Sequence, residues 1–117
     1  MNETTWPDNV HDAYHAHVYF DAATIDSARQ LCHNAGESFE ITIGRFHEKP
    51  VGPHPMWSCQ LAFERGVYDQ IIPWLAHNRQ ELTVFIHAIT GDDVKDHTDY
   101  TCWLGTPVEL NMAALLK

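Results

Sequence analysis

The sequence predicts an α+β domain in which two helices cover one face of an antiparallel four-stranded sheet. Four short runs alternate apolar and polar residues as strands do, and two longer runs repeat apolar residues at helical spacing. Their order is strand, helix, strand, strand, helix, strand, which is the ferredoxin-like (βαββαβ) pattern. A chain of 117 residues can bury one core. We expect a leader at residues 1–13 and a single domain at residues 14–117, which ends in a C-terminal extension.

The first predicted strand, residues 14–20, carries two histidines two positions apart. Alternate side chains of a strand share a face, so His15, His17 and Tyr19 point one way and the apolar side chains between them point the other. One face of this strand is therefore predicted to pack in the core, and the other is predicted to carry the side chains of a functional site.

A helix and a second strand are predicted next. Apolar side chains recur at helical spacing over residues 22–34. Asp21 is placed to cap this helix, and Gly36 is expected to close it. The alternation of residues 39–46 then predicts the second strand.

The second half of the domain repeats the plan of strand, helix and strand. A proline-rich turn at residues 49–55 leads into a third strand over residues 56–63, whose parity extended backwards includes His54. A second helix is predicted over residues 67–78 and a fourth strand over residues 82–87.

The C-terminal extension has a less regular pattern. Residues 91–99 predict a polar loop, and residues 100–105 allow a short additional strand. A final helix is expected over residues 108–116.

Charge and composition argue against several classes of partner. Seven basic residues against sixteen acidic ones give a net charge of −9, which disfavours nucleic acid and an anionic membrane surface. No apolar run is long enough to span a membrane, and residues 1–11 lack the features of a signal peptide. The three cysteines have no metal-binding spacing and predict reduced thiols. We therefore expect a soluble, cytoplasmic protein.

Four histidines are predicted to meet on the sheet face that the helices leave open. They are His15, His17, His54 and His87. The first strand is expected to lie between the third and the fourth, which brings these side chains to one region. A single histidine on a strand is more often a hydrogen-bonded residue than a ligand. Four converging imidazoles favour a metal site or a catalytic site instead.

The other five histidines divide into two groups. His97 lies in the polar loop before two aromatic residues, and this loop could fold over the open face. The remaining four are expected to be solvated: His11, His33, His47 and His77.

Several segments resemble the DOPA 4,5-dioxygenase family of fungi and bacteria. They are YHAHVYF at residues 14–20, VGPHP at residues 51–55, VFIH at residues 84–87, DH at residues 96–97 and WLG at residues 103–105. The resemblance extends from residue 14 to about residue 110, with the motifs in the family's order. One departure is His87-Ala88, where the family pattern has His-Pro, so the turn there is expected to differ.

The resemblance implies extradiol ring opening of a catechol such as L-DOPA by O₂ at a non-haem Fe(II), with other divalent metals as possible substitutes. A redox-active metal fits because triplet O₂ reacts poorly with a closed-shell catechol. The usual iron site has two histidines and one carboxylate, and no carboxylate stands out here. Glu40 has suitable parity and Asp96 adjoins a candidate acid, but neither lies in a recognisable metal-binding motif. A metal site of three histidines therefore stays an alternative.

The resemblance and the strand alternation suggest roles for five histidines. Three are assigned as metal ligands: His17, His54 and His87. His15 or His97 is assigned as the catalytic acid or base that takes the second catechol proton, a task suited to a group that titrates near neutrality.

Substrate binding and assembly are the least defined features. Arg45 is assigned to a substrate carboxylate, and Tyr19 is assigned to the substrate-binding surface. A homodimer is expected because an open sheet face would expose Tyr19, Met56 and Phe85 as an apolar patch.

Two alternatives from other classes remain. The first is a non-enzymatic dimeric binding module whose histidines are interface groups. The second is a cofactor-free monooxygenase or isomerase that uses a histidine of the same face as its base. Metal binding and sensitivity to chelation distinguish both from a metal-dependent dioxygenase.

Overall fold

The computed structural model describes residues 9–116, so residues 1–8 and 117 lie outside the described part. Within this part the chain forms β1 (Ala13–Phe20), α1 (Ile25–Ser38), β2 (Thr42–His47), β3 (Trp57–Glu64), α2 (Arg65–Asn78), β4 (Thr83–Ala88), α3 (Asp93–Asp96), β5 (Thr101–Leu104) and a 3₁₀ helix (Met112–Leu115). No helix among the described residues has the length and hydropathy needed to cross a membrane.

The strands form one antiparallel sheet in the order β2-β3-β1-β4-β5. The predicted α+β class is confirmed, whereas the expectation of four strands is wrong. Residues 101–104 pair with β4 as a fifth strand, because the segment around α3 turns the chain back alongside β4. β1 lies at the centre between β3 and β4, as predicted.

The hydrophobic core lies between the sheet and the two long helices. Ala16 and Val18 of β1 are fully buried there, and α1 and α2 contribute a continuous apolar surface. The buried helix residues are Ala28, Leu31, Cys32, Ala35, Tyr68, Ile71, Ile72 and Leu75. Cys32, Cys59 and Cys102 are buried and carry free thiols.

The start of α1 differs from the prediction. The helix begins at Ile25 rather than at residue 22, because Asp21 organises a turn ahead of it. The Asp21 carboxylate accepts hydrogen bonds from the backbone N–H groups of Ala23 and Thr24, each 3.0 Å long. Asp21 therefore caps the preceding turn and not the helix itself.

The ends of two predicted helices also differ. α1 continues to Ser38, so Gly36 lies inside it and is not its cap. A β carbon at Gly36 would lie 2.7 Å from Cδ1 of Ile43, so the glycine allows β2 to pack closely against α1. The helix expected over residues 108–116 is reduced to the 3₁₀ helix Met112–Leu115.

The sheet face opposite α1 and α2 is covered, contrary to the prediction. Tyr19 is 1% exposed and Phe85 is 0% exposed. The Trp103 ring of β5 lies 4.4 Å from the Phe85 ring, and the N–H of Asn111 donates to the carbonyl of Pro53 at 2.8 Å. Most of the apolar patch that predicted a homodimer is thus buried within one chain, and dimer formation stays a prediction without that support.

Residues 9–12 lead into β1 and contact the start of α2. The Arg65 guanidinium donates to the carbonyl of His11 at 2.9 Å and pairs with the Asp12 carboxylate at 2.7 Å. The Asn9 amide donates to the carbonyl of Arg65 at 3.0 Å. Most of the predicted leader lies outside the described residues, so its boundary at residue 13 stays a prediction.

Gly105 and Gly66 provide a matched pair of substitutions. Gly105 has a φ of +89°, and a β carbon there would lie 2.6 Å from Nη1 of Arg79, so Gly105→Ala should destabilise the fold by about 1–3 kcal/mol. A β carbon at Gly66 would have no atom within 4 Å, so Gly66→Ala should be neutral or stabilise the fold by up to about 1 kcal/mol. Urea unfolding measures both, and equal effects would contradict the strained geometry at Gly105.

Candidate metal centre

Five histidines line one cavity on the sheet face opposite α1 and α2. The cavity has a volume of about 240 Å³. Its lining residues are His15, His17, His54, Gln60, His87, Ile89, Gly91, Asp93, Asp96 and His97. The structure thus brings the four predicted histidines together, and the segment after β4 adds His97.

Two imidazoles of the cavity, those of His17 and His87, contact each other directly. Their Nε2 atoms are 3.0 Å apart, and the two residues are 5% and 3% exposed. With His15 they form a group in which one ring nitrogen of each residue lies within 4.8 Å of the other two. Metal–nitrogen bonds of about 2.1 Å place neighbouring ligand atoms roughly 3–4 Å apart, so small side-chain shifts would let these three imidazoles hold one ion.

His87 has the hydrogen bonding that is typical of a metal ligand. Its Nδ1 lies 2.9 Å from the carbonyl oxygen of Ala88. A carbonyl only accepts hydrogen bonds, so the neutral ring carries its proton on Nδ1 and keeps a lone pair on Nε2. Metal-binding histidines usually donate their second N–H to such an oxygen, which fixes the ring and its tautomer.

His54 lies in the predicted turn, and not in the strand whose parity was extended back to it. β3 begins at Trp57, and the N–H of His54 donates to the carbonyl of Val51 at 3.0 Å. The two residues flanking His54 are prolines, which cannot donate to a strand ladder, and Gly52 takes a φ of +57° in the turn. The side chain still reaches the cavity from this position.

Tyr19 fixes the tautomer of His54. The Tyr19 hydroxyl lies 2.7 Å from Nδ1 of His54. Burial raises the pKa of Tyr19, so the hydroxyl stays protonated and donates to Nδ1. The proton of the neutral His54 ring is then on Nε2, where it makes the ring a hydrogen-bond donor instead of a ligand.

The hydrogen bonding of His97 fixes the tautomer of its neutral ring. Its Nδ1 donates to the carbonyl of Asp93 at 2.7 Å, which leaves the lone pair on Nε2. The His97 ring lies 4.1 Å from the His87 ring, centre to centre. A half-buried imidazole with a fixed lone pair beside the cluster has the arrangement of a general base.

Burial keeps the clustered imidazoles neutral. Desolvation lowers the pKa of His87 to about 3 and that of His54 to about 4, from an ordinary value of 6.5. It also lowers the pKa of His17 well below that value and lowers the pKa of His15. The neighbouring histidines add to the effect because charging one ring disfavours charging another. The neutral ring is the form that binds a metal ion.

The two carboxylates considered from the sequence are not placed as ligands. Asp96 is 2% exposed and lines the cavity, but its oxygens accept from the N–H and hydroxyl of Thr90 at 2.9 and 2.6 Å. Glu40 is exposed and lines a separate groove near the start of α2. Among the described residues, the group that can hold a metal ion consists of histidines alone.

The two predicted substrate-binding residues lie in different surroundings. Tyr19 is buried beside His54 and is oriented by it. Arg45 is exposed on β2 and does not line the histidine cavity, so its assignment to a substrate carboxylate stays a prediction.

Sequence reasoning missed a second group of polar residues near the cavity. Gln60 lines it directly, and His47 and Ser58 line an adjoining cavity that also contacts His17 and His54. The parity of β3 already placed Ser58 and Gln60 on the histidine face. His47 was expected to be solvated, but it is half-buried, because the turn before His54 folds beside it.

The fold and the cavity define an α+β protein with a three-histidine group, half-buried at His15 and buried at His17 and His87, that can bind a metal ion. Residues 14–114 match the model of the Dopa 4,5-dioxygenase family. The chain therefore belongs to this family, which confirms the resemblance seen in the sequence.

Two curated proteins are similar to this chain over most of its length. The chain is 27% identical over 111 residues to "DOPA 4,5-dioxygenase" of Amanita muscaria, covering 87% of this chain and 49% of that protein. It is 30% identical to an uncharacterised 21.2 kDa protein of Botryotinia fuckeliana, covering 92% of this chain and 67% of that protein. The chain thus spans only about half to two thirds of these curated relatives.

A solved structure gives a fuller match. The crystal structure of a candidate dioxygenase from Nostoc punctiforme superposes with a TM-score of 0.89 at 43% identity, and the match covers 93% of this chain and 96% of that one. The family model and the solved structure thus match nearly the same part of this chain.

The lowered pKa values predict that the metal-free protein loses stability as the pH falls from 6.5 towards 4. Unfolded histidines take up protons near pH 6.5, whereas the folded His54 and His87 do so only near pH 4 and 3. The unfolded state therefore binds more protons in this window, and the free energy of unfolding decreases as the pH falls. Each such histidine contributes up to about 1.4 kcal/mol per pH unit.

Urea unfolding at a series of pH values measures this slope. His87→Gln should make it shallower, whereas His77→Gln, which replaces an exposed histidine of α2, should leave it unchanged. The same slope in His87→Gln and in the native sequence would show that the folded His87 is not held neutral.

Proposed function

We propose that the protein is an extradiol dioxygenase that opens the ring of a catechol, such as L-DOPA, with O₂ at a non-haem Fe(II). One observation carries the proposal: a member of the DOPA 4,5-dioxygenase family holds three histidine ring nitrogens within 4.8 Å of one another, in a cavity with two further histidines. The choice of L-DOPA rests on the name of the Amanita relative.

The proposed ligands of Fe(II) are His15, His17 and His87. Imidazole suits Fe(II) and several other divalent metals, so the donor set does not by itself select iron. A bound ferrous ion supplies open positions at which a catecholate and O₂ come together and exchange electrons. His15 replaces His54, which was assigned as a metal ligand from the sequence. The hydrogen bond from Tyr19 occupies the lone pair on Nδ1 of His54, so the neutral ring carries its proton on Nε2.

His97 is the proposed general base. Its Nε2 lone pair is fixed by the hydrogen bond from Nδ1 to the carbonyl of Asp93, beside His87. A catechol must lose its second proton to bind through both oxygens, and His97 is placed to take that proton. The same group, once protonated, can return the proton as the ring opens.

His54 is the proposed hydrogen-bond donor to the reacting oxygens. Its Nε2–H is set by Tyr19, and its ring lies 3.9 Å from the His17 ring, centre to centre. A donor with a fixed orientation stabilises negative charge that develops on oxygen. In this assignment Tyr19 acts through His54 and is a positioning residue.

The same structural features bear on the fold class and on the two alternative functions, a binding module and a cofactor-free enzyme. The strand order β2-β3-β1-β4 with two helices on one face supports the ferredoxin-like class as a proposal. The binding-module alternative relied on an exposed histidine face, and that face is buried. A cofactor-free enzyme would use His97 as its base, so removal of metal is the decisive test.

The ligand assignment predicts that His17→Ala and His87→Ala lose Fe(II). Each variant removes one of three nitrogens, so metal affinity and ring opening should each fall by 100-fold or more, roughly. Anaerobic Fe(II) titration, followed by mixing with L-DOPA and O₂, measures both through the absorption of the yellow ring-opened product. His33→Ala, at an exposed site of α1, should behave as the native sequence does. Turnover that survives chelation would instead support the cofactor-free alternative.

The assignment of His97 predicts a separation of metal binding from catalysis. His97→Gln should bind Fe(II) with unchanged affinity but lower kcat by about 10²–10⁴-fold, because the base is lost while the proposed ligands remain. The Fe(II) titration and the steady-state rates of one preparation provide both values. A parallel loss of metal affinity would identify His97 as a ligand.

A further inference from the structure

The segment after β4 leaves the sheet and brings His97 back to the histidine cavity. Ile89 still contacts β1, because its N–H donates to the carbonyl of Ala13 at 2.9 Å. Gly91 then takes a φ of +99°, a conformation that glycine adopts without strain. The four-residue helix α3 follows, and His97 comes directly after it. A short loop and one helical turn, and not a strand, therefore carry the proposed base.

Thr90 and Asp96 join the two ends of this segment. The Asp96 carboxylate accepts hydrogen bonds from the N–H of Thr90 at 2.9 Å and from its hydroxyl at 2.6 Å. The Thr90 hydroxyl also accepts from the N–H of Asp92 at 3.3 Å. We name these three hydrogen bonds the Thr90–Asp96 clamp. The clamp ties the residue before His97 to the end of β4, the strand that carries His87.

The place of α3 on the sheet depends on such contacts. A helix of four residues is not stable by itself, because too few hydrogen bonds offset the ordering of its backbone. Asp96 is only 2% exposed, and a buried carboxylate is costly unless it is hydrogen-bonded. The two bonds from Thr90 meet this requirement, so they fix Asp96 relative to β4.

The position of Asp96 in turn determines that of His97. The N–H of His97 donates to the carbonyl of Asp93 at 3.2 Å, and its Nδ1 lies 2.7 Å from the same oxygen. Backbone and ring of His97 are thus both attached to α3. Its ring lies 4.1 Å from that of His87, centre to centre, and both rings line the histidine cavity.

We infer that Thr90 and Asp96 are positioning residues that hold the imidazole of His97 against His87. The inference deepens the proposed function and rests on it for the catalytic role of His97. The clamp acts through His97 and not on the reacting atoms. Without it, α3 has no fixed place beside β4, and the His97 ring leaves its contact with His87.

Nuclear Overhauser effects (NOEs) between histidine ring protons of the metal-free protein test the positioning. The native protein should show a His87–His97 NOE and a His17–His87 NOE, since both pairs of rings are in contact. Thr90→Val keeps the size of the side chain and removes the hydroxyl, so the first NOE should be lost and the second kept. Thr90→Ser, which restores the hydroxyl, should keep both.

Thr98→Val is the matched control, because it makes the same substitution one residue after His97. The Thr98 hydroxyl donates to the carbonyl of Val94 at 2.7 Å and so bonds within the segment. This variant should keep both NOEs.

Asp96→Asn tests the acceptor side of the clamp. An amide offers one oxygen where a carboxylate offers two, so one of the two bonds from Thr90 is lost. The variant should show the same selective loss, and it tests the inference even if Thr90→Val does not fold. A His87–His97 NOE that persists in the folded variants, or that disappears together with the His17–His87 NOE, would overturn the inference.

Steady-state rates of the Fe(II)-loaded protein show whether the clamp acts through His97. Thr90→Val should lower kcat by about 10–100-fold, because small displacements of a catalytic group are costly, and should leave the affinity for Fe(II) unchanged. In the His97→Gln background the same substitution should cause no further loss of kcat, since the base that the clamp positions is absent. An equal loss in both backgrounds, or weaker Fe(II) binding, would contradict the inference.

The NOE experiment needs neither metal nor turnover, so it separates this inference from the proposed function. A selective loss of the His87–His97 NOE in a protein that opens no catechol would support the clamp and refute the dioxygenase. Ring opening that requires His97, together with NOEs that neither clamp variant changes, would support the dioxygenase and refute the clamp.

Discussion

The close approach of the His17 and His87 imidazoles depends on the register between β1 and β4. His17 lies opposite Phe85 and His15 lies opposite His87, so the 3.0 Å contact joins diagonal neighbours on one face of the sheet. A slip of one residue would send these side chains to the opposite face, among the core residues under the helices. The packing of α1 and α2 against Ala16 and Val18 prevents that slip, and the core therefore fixes the geometry of the site.

The covering of the second sheet face gives the cluster its chemistry. On an open face the histidines would be hydrated and would titrate near their ordinary pKa. Under the turn before β3 and the segment after β4, and beside Trp103 of β5, they are desolvated, which keeps the imidazoles neutral and able to bind a metal at acidic pH. The same covering accounts for the buried state of Tyr19 and Phe85, so one structural feature explains both the lowered pKa values and the loss of the apolar patch.

Local periodicity was enough to predict which strand residues share a face. It failed where contacts between residues distant in sequence determine the structure. The parity of β1 and β4 placed His15, His17 and His87 together, because alternation is a property of each strand alone. The fifth strand and the covering of the second face depend on residues far along the chain. Gly36 is a similar case, because its role is to admit Ile43 and not to end a helix.

The division of roles among the histidines depends on oxygen atoms that a sequence pattern does not reveal. Two of the relevant partners are backbone carbonyls, at Ala88 and Asp93, and every residue supplies such a group. Each accepts a hydrogen bond from the Nδ1–H group and so places the lone pair of the neutral His87 or His97 ring on Nε2. Tyr19 acts in the opposite sense, because its hydroxyl donates to His54 and makes Nε2 the protonated atom. In their neutral forms, three chemically identical side chains thereby present two nitrogen lone pairs and one N–H donor.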